Sequence, residues 1–473
     1  MLFNTLQYAR FFAVVFAVSW LLVRAPRLRV WFLLGASYYF YAAFDWRFLP
    51  LIFASSSADW LLGRQIAATA EPNARKRLLW LTVALNLGLL GFFKYYDFGA
   101  DSLRALCESL GYHPSEWALR LTLPIGISFF TFESMSYVID VYRRDIEPHP
   151  SYVEYLTFVA FFPHLVAGPI VRPRDLLPQL TRAPHFDDVV GGEGLFLIAV
   201  GLVKKVVIGD YLALNLVDRV FDAPLSYSSL ECYAAVVGYA LQIYCDFSGY
   251  TDIAIGSALL LGVRFPKNFD APYTAHSITD FWRRWHISLS TWLRDYLYIS
   301  LGGNRRGELR TYLNLMLTMV LGGLWHGASW TFVAWGTLHG AALALTRALS
   351  KPFAALTRNV PARLVHVFGV LFTFHLVCLG WVLFRATTFG QARALLTRLL
   401  EGSVYHPNLD RRVLAVLGLG LCGHFVPTRW FSASREGFCR LPAVAQAALL
   451  MGVLMLVRRV ASAEAVPFVY FQF

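Results

Sequence analysis

Two histidines stand in segments that could turn an imidazole to chemistry. His326 lies in Gly322-Gly323-Leu324-Trp325-His326-Gly327, surrounded by apolar sequence. His286 lies in Phe281-Trp282-Arg283-Arg284-Trp285-His286-Ile287-Ser288-Leu289-Ser290, which is polar and basic. An ionisable side chain at bilayer depth is costly, so it marks a functional site by default. A neutral imidazole in an apolar cavity is a good general base, because burial keeps its pKa from rising. Glycines at 322, 323 and 327 let other backbone, or a ligand, approach His326 closely. Around His286, Arg283, Arg284 and Arg294 are expected to hold the ring neutral by like-charge repulsion. The same arginines would attract an anionic ligand such as the phosphates of a coenzyme. Each histidine also has a plainer reading: His326 as a hydrogen-bonded bundle residue, His286 as a surface residue of an amphipathic helix.

The segment that must position His286 is the longest polar block in the chain, Arg264 to Arg310. Ser277 and Asp280 have capping-box spacing. A helix over 278–299 is expected to follow. On it Arg283, His286, Ser290 and Arg294 would share one face, with Trp282, Trp285, Leu289 and Trp292 on an adjoining apolar face. Such a helix suits a cytoplasmic membrane interface. Asp246 and Asp252 sit between two apolar runs, where they could line a tunnel or mark a helix-hairpin turn. Capping at a turn is the favoured reading for Asp246; Asp252 stays open between the two.

Composition places all of this in a membrane. The 473 residues are 57% hydrophobic and only 15% charged, with a mean hydropathy of +0.50. A soluble domain carries about 25% charged residues. Apolar runs recur near 9–23, 30–44, 48–63, 78–93, 123–141, 152–168, 193–208, 229–246, 248–263, 311–325, 328–349, 364–384, 411–425 and 441–457. Several fall short of the ~20 residues a free span needs. The expected fold is therefore an all-α polytopic bundle of about eleven to thirteen crossing or re-entrant helices, as one integral membrane domain over 1–473. The first run precedes Arg24, Arg27 and Arg29, the reverse of a cleaved signal, so a retained span is expected with its C-terminal end cytoplasmic. The basic segments then alternate correctly until the run at 152–168. There Pro163, Gly168 and Pro169 suggest a hairpin that returns to the same side.

Other chemistry finds little support. The net charge of +12 suits cytoplasmic loops rather than nucleic acid, since no aromatic-interleaved basic patch accompanies it. Cys107, Cys232, Cys245, Cys378, Cys422 and Cys439 form no C-x-x-C and imply neither metal nor disulfide. Gly418-x-Gly420-x-x-Gly423 follows no strand and lies in an apolar run, so it carries no dinucleotide site. Walker A, G-x-S-x-G and H-E-x-x-H motifs are missing from the sequence.

Several blocks together resemble the membrane-bound O-acyltransferase family. They are Leu123 to Phe132, Phe162 to Ile170, Gly201 to Ile208, Tyr244 to Asp252, Asp280 to Ser290, Trp325-His326-Gly327 and Trp381 to Ala386. They occur in order between about 120 and 386, the core motif region. More narrowly the chain resembles the branch that holds the alginate O-acetyltransferase membrane subunit and its relatives in peptidoglycan and cellulose acetylation. One departure is His164, where that pattern has glutamine.

The resemblance implies that His326 is the near-invariant histidine and His286 a second active-site residue. It implies an acyl-coenzyme A donor on the cytoplasmic side, with acetyl-CoA expected. It also implies a tunnel through the bundle, which Arg283, Arg284, Ser290, Arg294, Trp325 and Asp252 would line or where they would bind the donor. The acetyl group would pass outward to a partner acetyltransferase, periplasmic or membrane-anchored, that modifies an exported polysaccharide. The expected setting is a bacterial inner membrane, among lipids, with no bound cofactor or metal and no nucleic acid. The competing readings are a transporter or flippase of a lipid-linked intermediate, and a structural subunit of an export complex. For the enzyme, one cavity facing both histidines is expected.

Overall fold

The computed structural model describes residues 1–182, 184, 187–462 and 466–469. Among these the regular elements are all helices. In a membrane core the backbone must satisfy its own hydrogen bonds, which a helix does within one segment. The described residues form two compact units, Met1–Val190 with Ser257–Pro266, and Gly191–Gly256 with Lys267–Phe473.

Among the described residues three helices are long and apolar enough to cross a bilayer unaided: Pro72–Ser109, Ala362–Arg385 and Ala443–Val460. No residue of the last is fully buried inside the protein, and Val444, Leu449, Met451, Leu454, Met455 and Leu456 are exposed, as lipid contact requires. A fourth candidate, Arg411–His424 with Thr428–Arg440, bends by 94° at its break. The other apolar runs form helices that are shorter, interrupted or threaded with buried polar groups. They hold together by packing rather than as independent spans.

In the first unit, helix Leu49–Ala68 packs on Pro72–Leu90 and on Ile127–Arg143. Gly63 allows the last contact: a Cβ there would fall 2.8 Å from a ring carbon of Tyr137. The run at 152–168 does break where its prolines suggested. Helix Tyr152–Ala160 ends at Phe161, a single turn spans Phe162–Leu165, and irregular backbone follows to Pro173. Within the break His164 Nδ1 lies 2.8 Å from Glu133 Oε1, and the same oxygen accepts Val171 N at 3.1 Å. Arg29, one of the three arginines after the first run, is buried. It donates to Ser19 Oγ at 2.9 Å and to the Leu261 carbonyl.

The two runs at 229–246 and 248–263, which begin in the second unit, are not a hairpin. One unbroken helix covers Ser229–Leu260, so Asp246 caps nothing. Its charge is met from elsewhere: Lys205 Nζ lies 2.7 Å from Asp246 Oδ1 and 2.6 Å from Asp210 Oδ1. Lys204 likewise pairs with Asp252 at 2.7 Å. Buried charges persist only when paired, and here two lysines let a helix carry two aspartates without a turn. Close approach helps: a Cβ on Gly249 would meet the Gly201 carbonyl oxygen at 2.7 Å, and one on Gly201 the Gly249 carbonyl oxygen at 2.5 Å.

Candidate active site

His326 is the last residue of helix Glu308–His326. That helix packs along its length against Trp330–Ala348, and glycines set the spacing. A Cβ on Gly323 would collide with the Phe332 carbonyl oxygen, one on Gly336 with that of Met319, and one on Gly327 with the Phe332 ring. The glycines near His326 therefore admit protein: backbone at Gly323, a ring at Gly327. The imidazole is 4% exposed. It sits in an aromatic cage, its centroid 5.1 Å from Trp325, 5.1 Å from Trp335 and 5.2 Å from Phe384.

The expected helix over 278–299 is broken in two. Ser277 caps it as its spacing suggested, its hydroxyl accepting Asp280 N at 3.2 Å. Helix Ile278–Arg284 then stops, and Ile287–Trp292 begins after His286. A wider π-helical turn covers Leu293–Tyr298. His286 occupies the left-handed region, φ 41° and ψ 57°, which is unfavourable for a residue with a Cβ. Asn268 compensates. Its Oδ1 accepts Ser288 N at 3.2 Å and Ser288 Oγ at 2.9 Å, and lies 3.2 Å from His286 Nδ1. Its carbonyl accepts Ile287 N at 2.9 Å.

This break sends the face predicted from helical spacing in different directions. His286 goes fully inside, at 0% exposed, while Arg283 and Arg294 stay exposed. Ser290 Oγ donates to the Trp285 carbonyl at 3.0 Å. Arg284 turns to Asp280 at 3.0 Å, and Arg294 to Asp295 at 2.7 Å. His286 is kept neutral by burial, which pushes its pKa down to about 3. The arginines, invoked above for that effect, are not its cause.

Trp325 joins the two histidines. Its ring is 5.1 Å from His326 and 6.1 Å from His286, so both imidazoles share one aromatic wall. Phe247 closes the other side of His286, edge-on at 4.6 Å. Asp252 is engaged by Lys204, whose ammonium also lies 5.6 Å over the Tyr244 ring.

The match to known proteins follows the same residues. The family model for membrane-bound O-acyltransferases matches residues 109–386. The chain belongs to the membrane-bound O-acyltransferase family. It is 48% identical over 367 residues to the probable alginate O-acetylase AlgI of Azotobacter vinelandii, covering 77% of this chain and 71% of that protein. It is 38% identical over 430 residues to the peptidoglycan O-acetyltransferase of Helicobacter pylori, covering 84% and 79%. A teichoic acid D-alanyltransferase of Bacillus subtilis is 28% identical over 284 residues, covering 56% and 69%. As a membrane-bound O-acyltransferase, this protein is an acyl-transferring enzyme of a membrane, and the transporter and structural-subunit readings fall away.

Four residues escaped the sequence reading. Asn268 has no local signal, because its work is done 18 to 20 residues away. Lys204 and Lys205 were visible as charges in an apolar run but had no visible partners. His339 was overlooked, although Leu338-His339-Gly340 puts a second His-Gly pair in apolar sequence, 13 positions after His326-Gly327.

Proposed function

We propose that this acyltransferase is a multi-pass protein of a bacterial inner membrane that moves acetyl from a cytoplasmic donor, acetyl-CoA, for O-acetylation of an exported polysaccharide such as alginate. The observation that carries this is the likeness to an alginate O-acetylase and a peptidoglycan O-acetyltransferase over most of the chain, with His326 caged inside the matched region. His326 takes the proton of an acceptor hydroxyl. The oxygen attacks the thioester carbonyl carbon, the carbon–sulfur bond breaks, and the proton passes to the departing thiol. His286, held neutral beneath Trp325, orients or polarises one reactant. Arg283 is exposed and available to the donor's phosphates, whereas a phosphate at Arg284 or Arg294 would compete with Asp280 or Asp295. Trp325 and Asp252 line the acyl path. A periplasmic or membrane-anchored acetyltransferase receives the group outside.

Membrane vesicles of the two orientations test the donor and its side. Inverted vesicles given labelled acetyl-CoA should release free coenzyme A thiol, and right-side-out vesicles should not. Release from right-side-out vesicles alone would reverse the direction of transfer, and no release from either would remove acetyl-CoA as donor.

A further inference from the structure

Helices Leu6–Leu21 and Pro26–Asp45 pack on each other in the first unit and leave a groove of about 670 Å³ between them. By helical spacing Leu6, Arg10 and Val14 fall on one wall, and Phe32, Ala36 and Tyr39 on the other. The helices run in opposite directions. Phe11 meets Tyr39 toward one end, with ring centroids 6.0 Å apart, and Trp20 meets Arg29 at the other, at 5.9 Å. Gly35 leaves the space between the walls open, since a Cβ there would meet nothing within 4 Å.

The groove is polar at one end and apolar along the rest. Gln7, Arg10 and Tyr39 occupy the polar end. Arg10 is exposed, and among the described residues its side chain has neither an ion pair nor a hydrogen bond. No aspartate or glutamate lines the groove. Arg10 stands about 6 Å along the axis from the first helical residue. A helical side chain leans toward the N-terminus, which carries its guanidinium toward the head-group zone. A cation there needs an anion, because hydrocarbon offers it no partner. Polarity thus runs along the groove as it runs along a lipid, charge at the membrane surface and an apolar trough toward the middle.

We propose that this groove binds one anionic phospholipid, its phosphate on Arg10 and an acyl chain laid along Val14, Phe32 and Ala36. Gln7 and Tyr39 flank the phosphate and offer further donors. The volume falls within the range of about 300–1,000 Å³ typical of small-molecule sites. A groove with a cation and no carboxylate favours a net negative head group over a zwitterionic one, whose ammonium would find no counter-charge.

The test follows the melting temperature of the full chain in detergent with added phosphatidylglycerol or phosphatidylcholine of the same acyl chains. A ligand of the folded chain raises Tm with its concentration. Phosphatidylglycerol should bind wild type roughly fivefold tighter than phosphatidylcholine, the contribution of one arginine near an anionic head group. Arg10→Gln should erase that preference. Gly35→Leu puts its first added carbon in open space and favours the helix, so it should fold and lose the rise with phosphatidylglycerol. Gly88→Leu adds the same side chain at another open glycine and should keep the rise. Equal shifts from both lipids in wild type, or a preference that survives Arg10→Gln or Gly35→Leu, would reduce the groove to ordinary lipid contact and overturn the inference. A dimer in detergent that Gly35→Leu dissociates would also overturn it, because the occupant would be a second copy. If Gly35→Leu does not fold, Arg10→Gln decides alone.

Discussion

His286 is held as a neutral ring in an interior that leaves none of it exposed to bulk solvent. Its pKa of about 3 in the folded chain stands against an ordinary value of 6.5. Between those values the unfolded chain binds the extra proton and the folded chain does not. Its neutrality therefore supports the fold fully above about pH 6.5, and that support is lost progressively as pH falls toward 3. Melting temperature should drop on acidification more steeply in wild type than in His286→Gln, and parallel curves would show that the ring is not desolvated in the folded protein. The roles of His326, Trp325 and Gly327 could be suspected from residue types alone. The burial of His286 could not. Arg283 and Arg294 continue the helical period straight through it, and only Asn268, from a preceding loop, makes the left-handed turn that reverses its side chain.

Among elements, the pair Glu308–His326 and Trp330–Ala348 fixes the cage, and glycine fixes the pair. Gly323→Ala would drive a methyl into the Phe332 carbonyl oxygen. It should separate the helices, lower the melting temperature by several degrees and reduce acyl transfer. Gly418→Ala is the matched control: nothing lies within 4 Å of the added carbon, and alanine favours a helix over glycine by up to about 1 kcal/mol. It should be neutral or stabilising, and a loss of activity there would revive a ligand role for Gly418-x-Gly420-x-x-Gly423. Helix existence was legible throughout, because apolar runs of that length leave few alternatives. Continuity was not. Asp246-Phe247-Ser248-Gly249 looks like a turn until Lys205 and Gly201 are brought to it from more than 40 residues upstream.

At the scale of the molecule, composition marks the membrane class, and ordered motifs between about 120 and 386 mark the family whose model matches 109–386. Orientation follows from charge. The block Arg264 to Arg310 is the densest in lysine and arginine, so it should be cytoplasmic. A cysteine placed at the exposed Asn304, with the exposed Cys422 changed to serine, should resist a membrane-impermeant thiol reagent in intact cells and react after lysis. Labelling before lysis would turn the donor site outward. The central claim is that His326 is the base of acyl transfer, and the most direct measurement compares acetyl transfer from acetyl-CoA by wild type and His326→Ala at equal protein abundance. The account predicts a loss of about 10²–10⁴-fold, the range general acid–base catalysis contributes, and a variant keeping more than half of wild-type activity would contradict it.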